Sequence, residues 1–320
     1  FPHAETIALN QAGDLAAGST LYVTLEPCCH TGNTPPCTTK LVNSKVSRVV
    51  CPLKDPDPRV SGKGFEILRA HGIEVDEHPK YNKQAQDLAQ GFITRVKLGR
   101  PMVTLKLATS IDGKIATQDQ DSKWITTSHT RNYVQLLRSK YDAILVGKKT
   151  AIVDNPHLSL RNQFSDLNQP LRIILDRKLS LSKDTNLVKT AQYQRLILVH
   201  DQKISKTKVK DWNKKGVTTI PVQTIQNKLN LPDLMLQLGS FGITRLLVEG
   251  GSELATSLLN EKLIDKIVMH TGGLIIGKSG LPSWGKLNSH FHCLSEHPRF
   301  ELLNVKSFGE DCEHIWKITY

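Results

Sequence analysis

Along the first hundred residues the apolar positions switch between helical and strand-like spacing. In HAETIALNQAG, Ala4, Ile7 and Ala8 suit a short helix closed by Gly13. STLYVTLEP follows, rich in β-branched and aromatic residues and ended by a proline, which predicts a strand. CTTKLVNSKV reads as a second helix, SRVVCPL as a second strand, GKGFEILRAHG as a third helix with a glycine stop, and IEVDE as a third strand. This alternation predicts parallel strand pairings covered by helices, the α/β class.

The helical stretch KQAQDLAQGFITRVKLG ends at Gly99-Arg100-Pro101, and a new strand, MVTLKLATS, begins there. That break predicts two domains, 1–98 and 99–320. The second repeats the logic with YDAILVG, PLRIILD, RLILVH and TRLLVEGG as short apolar strands, and HTRNYVQLLRSK and SELATSLLNEKL as helices between them. RNQFSDLNQ is polar and loop-like, and VKSFGEDCEHIWKITY predicts a turn into a last antiparallel strand.

A length of 320 residues supports two domains. With 39% hydrophobic and 22% charged residues, disorder as the main state is excluded. No apolar run approaches the roughly 18 residues a membrane span needs, and the basic-then-apolar layout of a signal peptide is lacking. A soluble, cytoplasmic protein is expected. The net charge of +12 falls unevenly: residues 1–98 hold 11 Lys and Arg against 10 Asp and Glu, so nearly all the excess lies beyond them. Six cysteines are too few for a disulfide scaffold, and the grouping of Cys28, Cys29, Cys37 and Cys51 points to metal first.

His3, Cys28 and Cys37 offer one imidazole and two thiolates, which leaves the fourth position of a tetrahedral Zn²⁺ open. An open position marks catalytic zinc, which activates water when a carboxylate is at hand to carry the proton. Glu5, two residues from His3 on the same helical turn, has that place as the catalytic acid and base. Cys29 reads as a packing residue and His30 as a cavity-lining group that touches substrate. The bland alternative is a buried histidine with two core cysteines.

H-A-E followed by P-C and a second cysteine resembles the zinc-dependent nucleobase and nucleoside deaminases. The long spacing in EPCCHTGNTPPC resembles one branch of them, the bifunctional pyrimidine deaminase/reductases of riboflavin biosynthesis. DPDPRVSGKG (55–64) is similar to that family's substrate loop, with Asp57 where Asn is common; Asn33 stands where a basic residue is frequent. Both changes imply a pocket less positive toward phosphate. The resemblance also implies a helix and two strands ahead of H-A-E. Their lack in this sequence leads to the expectation of a sheet without its edge hairpin and of weakened zinc binding and deamination.

LKLATSIDGKIA, SKWIT, QLLRSKYDAILVGKKT, DNPHLSLR and LLVEGGSEL resemble the reductase half of the same family. That resemblance implies a cytidine-deaminase-like three-layer α/β domain followed by a dihydrofolate-reductase-like α/β domain that uses NADPH. No G-x-G-x-x-G fingerprint is present; Gly250-Gly251 instead leads into a helix whose amino terminus can hold phosphate. By resemblance, Ala108, Trp124, Thr150, Asp154, Gly251 and Ser252 line the cofactor groove. Lys106, Arg138 and Arg161 grip the ribose-phosphate tail, with Ser122, Leu158 and Glu249 around the sugar and pyrimidine. Arg177 and Lys178 are placed to favour NADPH over NADH, and Gly272-Gly273 replaces an Ala-Pro of the family, which predicts a looser wall. Asp154 and Glu249 are candidates to protonate the sugar oxygen.

The implied activity is zinc-dependent deamination of a 2,5-diamino-6-ribosylamino-pyrimidinone 5′-phosphate, then NADPH-dependent reduction of the ribosyl group to ribityl. The expected partner is this small phosphorylated pyrimidine, without nucleic acid or membrane, in a homo-oligomer (dimer or tetramer). Two other readings stay open. One is an RNA-editing zinc deaminase with a basic RNA-binding second domain. The other is a structural zinc closed by a fourth ligand, Cys29 or His30.

Overall fold

The computed structural model of the chain describes residues 3–31, 35–287 and 293–318, so Asn33 lies outside the described residues. Two compact units are present, Phe1–Gly99 and Arg100–Tyr320. The first runs α1 (Ala4–Ala12), β1 (Thr20–Tyr22), α2 (Cys37–Asn43), β2 (Arg48–Val50), α3 (Lys63–Ala70), β3 (Glu74–Asp76) and α4 (Asn82–Leu98). Its strands pair in parallel in the order β1-β2-β3. Leu9 of α1, Leu41 of α2, and Phe65 and Leu68 of α3 pack with Val49 and Cys51 into one core. The strand expected over STLYVTLEP is shorter than its composition suggests. Val23 N–H still donates to Val50 O (3.0 Å) and Glu26 N–H to Leu53 O (2.9 Å), but Pro27 has no N–H with which to continue.

The second unit begins with β4 (Met102–Thr109), β5 (Lys114–Ala116), α5 (Ser128–Arg138), β6 (Ala143–Gly147), α6 (Lys148–Val153) and β7 (Leu171–Leu175). It continues through α7 (Asn186–Lys189), β8 (Leu196–Asp201), α8 (Lys206–Asn213), β9 (Val217–Val222), a small hairpin of β10 (Thr224–Ile225) and β11 (Lys228–Leu229), and α9 (Leu231–Ser240). Next come β12 (Arg245–Glu249), α10 (Ser252–Asn260), β13 (Lys266–Thr271), β14 (Leu281–Pro282), β15 (Phe300–Phe308) and β16 (Asp311–Ile318).

Nine of these strands form one sheet in the order β15-β16-β13-β4-β12-β6-β7-β8-β9. It is parallel from β13 to β9, and antiparallel where β16 joins β13 and β15. Alternate residues of the strands point to opposite faces, so the unit has two cores. Leu105, Leu145, Ile173 and Ile197 pack on one side with α9 and α10; Ile144, Val146, Ile174 and Leu198 pack on the other. The terminal hairpin turns at Gly309, whose φ of +66° suits glycine.

One joint of this unit was not legible in the sequence. Asp311, at the start of β16, accepts from Thr127 N–H (2.8 Å), from the Thr127 hydroxyl (2.7 Å) and from the Thr130 hydroxyl. The first turn of α5 is thereby capped from the far end of the chain, because Thr127 makes no side-chain cap of its own.

Candidate functional site

His3 immediately precedes α1, Cys37 opens α2, and Cys28 lies in the loop that follows β1. His3 Nδ1 is 3.5 Å from Cys28 Sγ and 3.3 Å from Cys37 Sγ. A tetrahedral zinc with Zn–S near 2.3 Å and Zn–N near 2.0 Å spaces its donors by roughly 3.5–3.8 Å, so this cluster fits the ion. Cys37 N–H also donates to Cys28 Sγ (3.3 Å), and Thr38 N–H to Cys28 O (3.2 Å), which ties the loop to the helix. The Cys37 thiol donates to Cys28 and, with His3, lowers Cys28 to about 5 against the cost of burial. Cys37 itself is pushed up, first by that shared proton, then by burial and by the charge of Glu5.

Glu5 sits half-buried in the first turn of α1, near enough for its charge to reach Cys37. Among the described residues the donor cluster is His3, Cys28 and Cys37, and neither Cys29 nor His30 joins it. Cys29 Sγ faces Arg59 O at 3.8 Å, and His30 Nδ1 is buried without a partner among the described residues.

The loop 55–64 is built on Glu26, which the sequence reading did not single out. This buried carboxylate accepts from Asp55 N–H (3.0 Å), Gly62 N–H (2.8 Å) and Gly64 N–H (2.9 Å). A Cβ at Gly64 would run into the carbonyl oxygen of Pro27, the residue before Cys28, so glycine there lets the loop close on the metal ligands. Asp57 does not leave the pocket less positive by itself. Arg59 binds it through Nε (3.0 Å to either oxygen) and through its terminal nitrogen, and holds its carboxyl at about 2.

In the second unit, charged groups gather around the end of β12. Lys106 of β4 and Glu249 of β12 are register partners. Arg138, in the last turn of α5, donates to Glu249 through Nε (2.6 Å) and a terminal nitrogen (2.8 Å), and both side chains are largely buried. Arg138 is therefore not the free phosphate fork that its position suggested. Burial pushes the Glu249 carboxyl up, but Arg138 and Lys106 outweigh it and keep the group below its usual range. Burial lowers the Lys106 ammonium, with Glu249 opposing. Ser122 donates to Asp154 (3.3 Å), whose carboxyl burial raises.

Thr150 and Gly251 face each other: a Cβ on Gly251 would meet nothing nearer than the Thr150 hydroxyl, 4.0 Å away. Gly251 is the N-cap of α10 and makes no side-chain cap, so the helix start opposite Thr150 is left to its backbone N–H groups. Such a helix start suits a dinucleotide phosphate. Ala108 is half-buried in β4, with the buried His270 as its neighbour in register. Trp124 is 67% exposed, so its ring is open to a ligand. Leu158 is different: its side chain is 3% exposed and belongs to the core with Ile144 and Ala151, leaving only its backbone to meet a ligand.

Trp124 and Arg161 line one cavity of about 210 Å³ with Ser128, Arg131, Asn132 and Gln135. The Arg131 guanidinium lies 4.0 Å from the Trp124 ring centroid, and Gln135 accepts from Arg161 N–H (3.2 Å). Arg131, Asn132 and Gln135 were missed in the sequence, although Ser128, Arg131, Asn132, Gln135 and Arg138 form a polar stripe at helical spacing along α5. The wall at Gly272 is tight rather than loose, since a Cβ there would strike the Ile125 carbonyl oxygen.

The family model described as the RibD C-terminal domain matches residues 101–313. The chain belongs to the RibD family. A second model, the cytidine and deoxycytidylate deaminase zinc-binding region, matches residues 1–53. The riboflavin biosynthesis protein RibD of Aquifex aeolicus is 40% identical over 316 residues, 99% of this chain and 85% of that protein. Acinetobacter baumannii RibD superposes with a TM-score of 0.87 at 34% identity, covering 100% of this chain and 86% of that one. A Thermotoga maritima structure gives a TM-score of 0.83 at 34% identity with the same coverage. It is described as a diaminohydroxyphosphoribosylaminopyrimidine deaminase/5-amino-6-(5-phosphoribosylamino)uracil reductase. This RibD chain accordingly joins a cytidine-deaminase-like unit to a dihydrofolate-reductase-like unit, both α/β. No described helix is long and apolar enough to cross a membrane.

Proposed function

We propose that this chain carries out two steps of riboflavin biosynthesis, deamination within residues 1–98 and reduction within residues 99–320. The observation that carries the reading is the His3, Cys28 and Cys37 cluster, which matches three corners of a zinc site and leaves the fourth without a protein donor among the described residues. These three residues would hold zinc, and the chemistry it would supply there is activation of a water for attack at the amino-bearing carbon of the diaminopyrimidinone. Glu5 takes the proton from that water and returns it to the departing amino nitrogen. His30, with its unpartnered ring nitrogen beside the Glu26-held loop, meets the substrate.

In the reductase unit NADPH would supply the hydride that reduces C1′ of the ribosyl group and leaves it as ribityl. Thr150, Gly251 and Ser252 would hold its phosphates, and Ala108, Trp124 and Asp154 would line its groove. Arg161 and Lys106 anchor the ribose-phosphate, with Arg131 added by its place in the cavity. Arg138 acts on the substrate through Glu249, whose position it fixes, while Ser122 and the backbone at Leu158 complete the wall. Asp154, whose carboxyl burial raises, and Glu249, which Arg138 and Lys106 hold below its usual range, are the two carboxyls placed to serve the sugar oxygen. The protein works in the cytoplasm as a homo-oligomer; Leu302, Leu303 and Val305 stand exposed on the edge strand β15, a face suited to a second copy.

The test is incubation with the phosphorylated diaminopyrimidinone, following ammonia release and NADPH absorbance separately. Ammonia should appear without NADPH, and NADPH oxidation should follow only after deamination. RNA binding with neither signal would overturn the reading.

A further inference from the structure

The terminal hairpin grips α5 along one side while the other side of the helix lines the cavity. Asp311 is 3% exposed, and a single oxygen, Oδ2, takes all three donors from Thr127 and Thr130. Next to it the Phe308 ring lies 4.5 Å from Tyr133 and 5.9 Å from His129, both on α5. Lys306 Nζ sits above the same two aromatic rings, 5.4 Å from Tyr133 and 4.7 Å from Phe308. Behind them Glu313 of β16 is bound to the buried His270 at 3.0 Å, which fixes the hairpin to the sheet.

From the same helix Arg131, Asn132 and Gln135 reach the cavity, and Arg138 reaches Glu249. The rise of a helix is 1.5 Å per residue, so moving its start by a fraction of a turn moves every one of these groups together. We propose that Asp311 is a positioning residue of the reductase site: by fixing where α5 begins, it sets where Arg131, Gln135 and Arg138 stand against Trp124, Arg161 and Glu249. This rests on the reading of the second unit as the reductase. Asp311 touches neither the cavity nor its cations, so its effect reaches substrate only through the helix.

A cap that served stability alone would lower the melting temperature and leave the Michaelis constant of folded protein unchanged. Positioning predicts a different split. Asp311→Ala should raise KM for the phosphorylated reductase substrate by about tenfold with kcat within about twofold, and Asp311→Asn, which keeps an acceptor oxygen, should recover most of the loss. Leu234→Ala, in the core on α9 away from α5, is the comparison for instability alone and should leave KM unchanged. Amide exchange at residues 127–131 should rise at least about tenfold in Asp311→Ala, a readout that needs no activity. Unchanged exchange, or an equal rise of KM in Leu234→Ala, overturns the proposal. If the unsubstituted chain never oxidises NADPH, the reductase reading fails, while exchange still decides whether Asp311 sets the helix start. Should Asp311→Ala not fold, Thr130→Val, which removes one of the three donors, takes its place, and unchanged KM together with unchanged exchange at residues 127–131 in that variant overturns the proposal.

Discussion

Arg138 and Glu249 form a two-pronged ion pair, 2.6 and 2.8 Å, between the end of α5 and the end of β12. Removing one partner leaves the other charge buried and uncompensated. Arg138→Ala should therefore cost about 3–5 kcal/mol in denaturant unfolding of the second unit. Arg138→Lys should recover little, because an ammonium cannot supply the planar fork. A loss below about 1 kcal/mol for Arg138→Ala would mean that the pair is solvated in solution.

Glu5→Gln keeps the shape of the side chain and removes its capacity to carry a proton. Deamination should fall by roughly 10²–10⁴-fold, with zinc content and NADPH oxidation on predeaminated substrate unchanged. Deamination within a factor of about two of the unsubstituted chain would take Glu5 out of that role.

Metal removal should separate the two activities. A chelator that strips zinc should abolish ammonia release and leave reduction intact, because the donor cluster lies wholly within Phe1–Gly99. Cys37→Ser should lower zinc content, while Cys29→Ser should not, since Cys29 faces the Arg59 carbonyl oxygen. Zinc lost equally from both variants would point to a closed, four-donor site.

Asp57 carries a pH signature. Arg59 depresses its carboxyl to about 2, below the 3.8 of the free group, so its contribution is complete above pH 3.8 and fades as pH falls through 2. Asp57→Asn has no such dependence. The melting-temperature gap between the two proteins should be constant from neutral pH down to about 5, narrow below about 3.8 and close as pH falls through about 2. A gap that widened with acidity would mean that Arg59 does not pair with Asp57 in solution.

Much of this was open to reading in the sequence where chemistry and local spacing coincide. H-A-E and Cys37 stand at helix starts and Cys28 follows the proline that ends a strand, so the candidate metal donors could be named in advance. The short strand β1 was overread because composition reports a preference for extended backbone but not the point at which Pro27 ends the ladder. The pairings that made other side chains unexpected join distant parts of the chain: Arg138 to Glu249, Asp311 to Thr127, Glu26 to the backbone of residues 55–64. No local pattern contains a partner 29 to 184 positions away. Gly272 was misjudged for the same reason, because its constraint is the carbonyl of Ile125.

Lys106 and Glu249 are paired by the backbone ladder of β4 and β12, between neighbours such as Leu105 and Val248 that belong to the core. Sliding either strand by one position would exchange charge for grease on both sides of the layer. The alignment that makes this unit fold is thus also the one that assembles its ionic wall, so a one-residue insertion in β4 should erase hydride transfer and folding together, with no half-working intermediate.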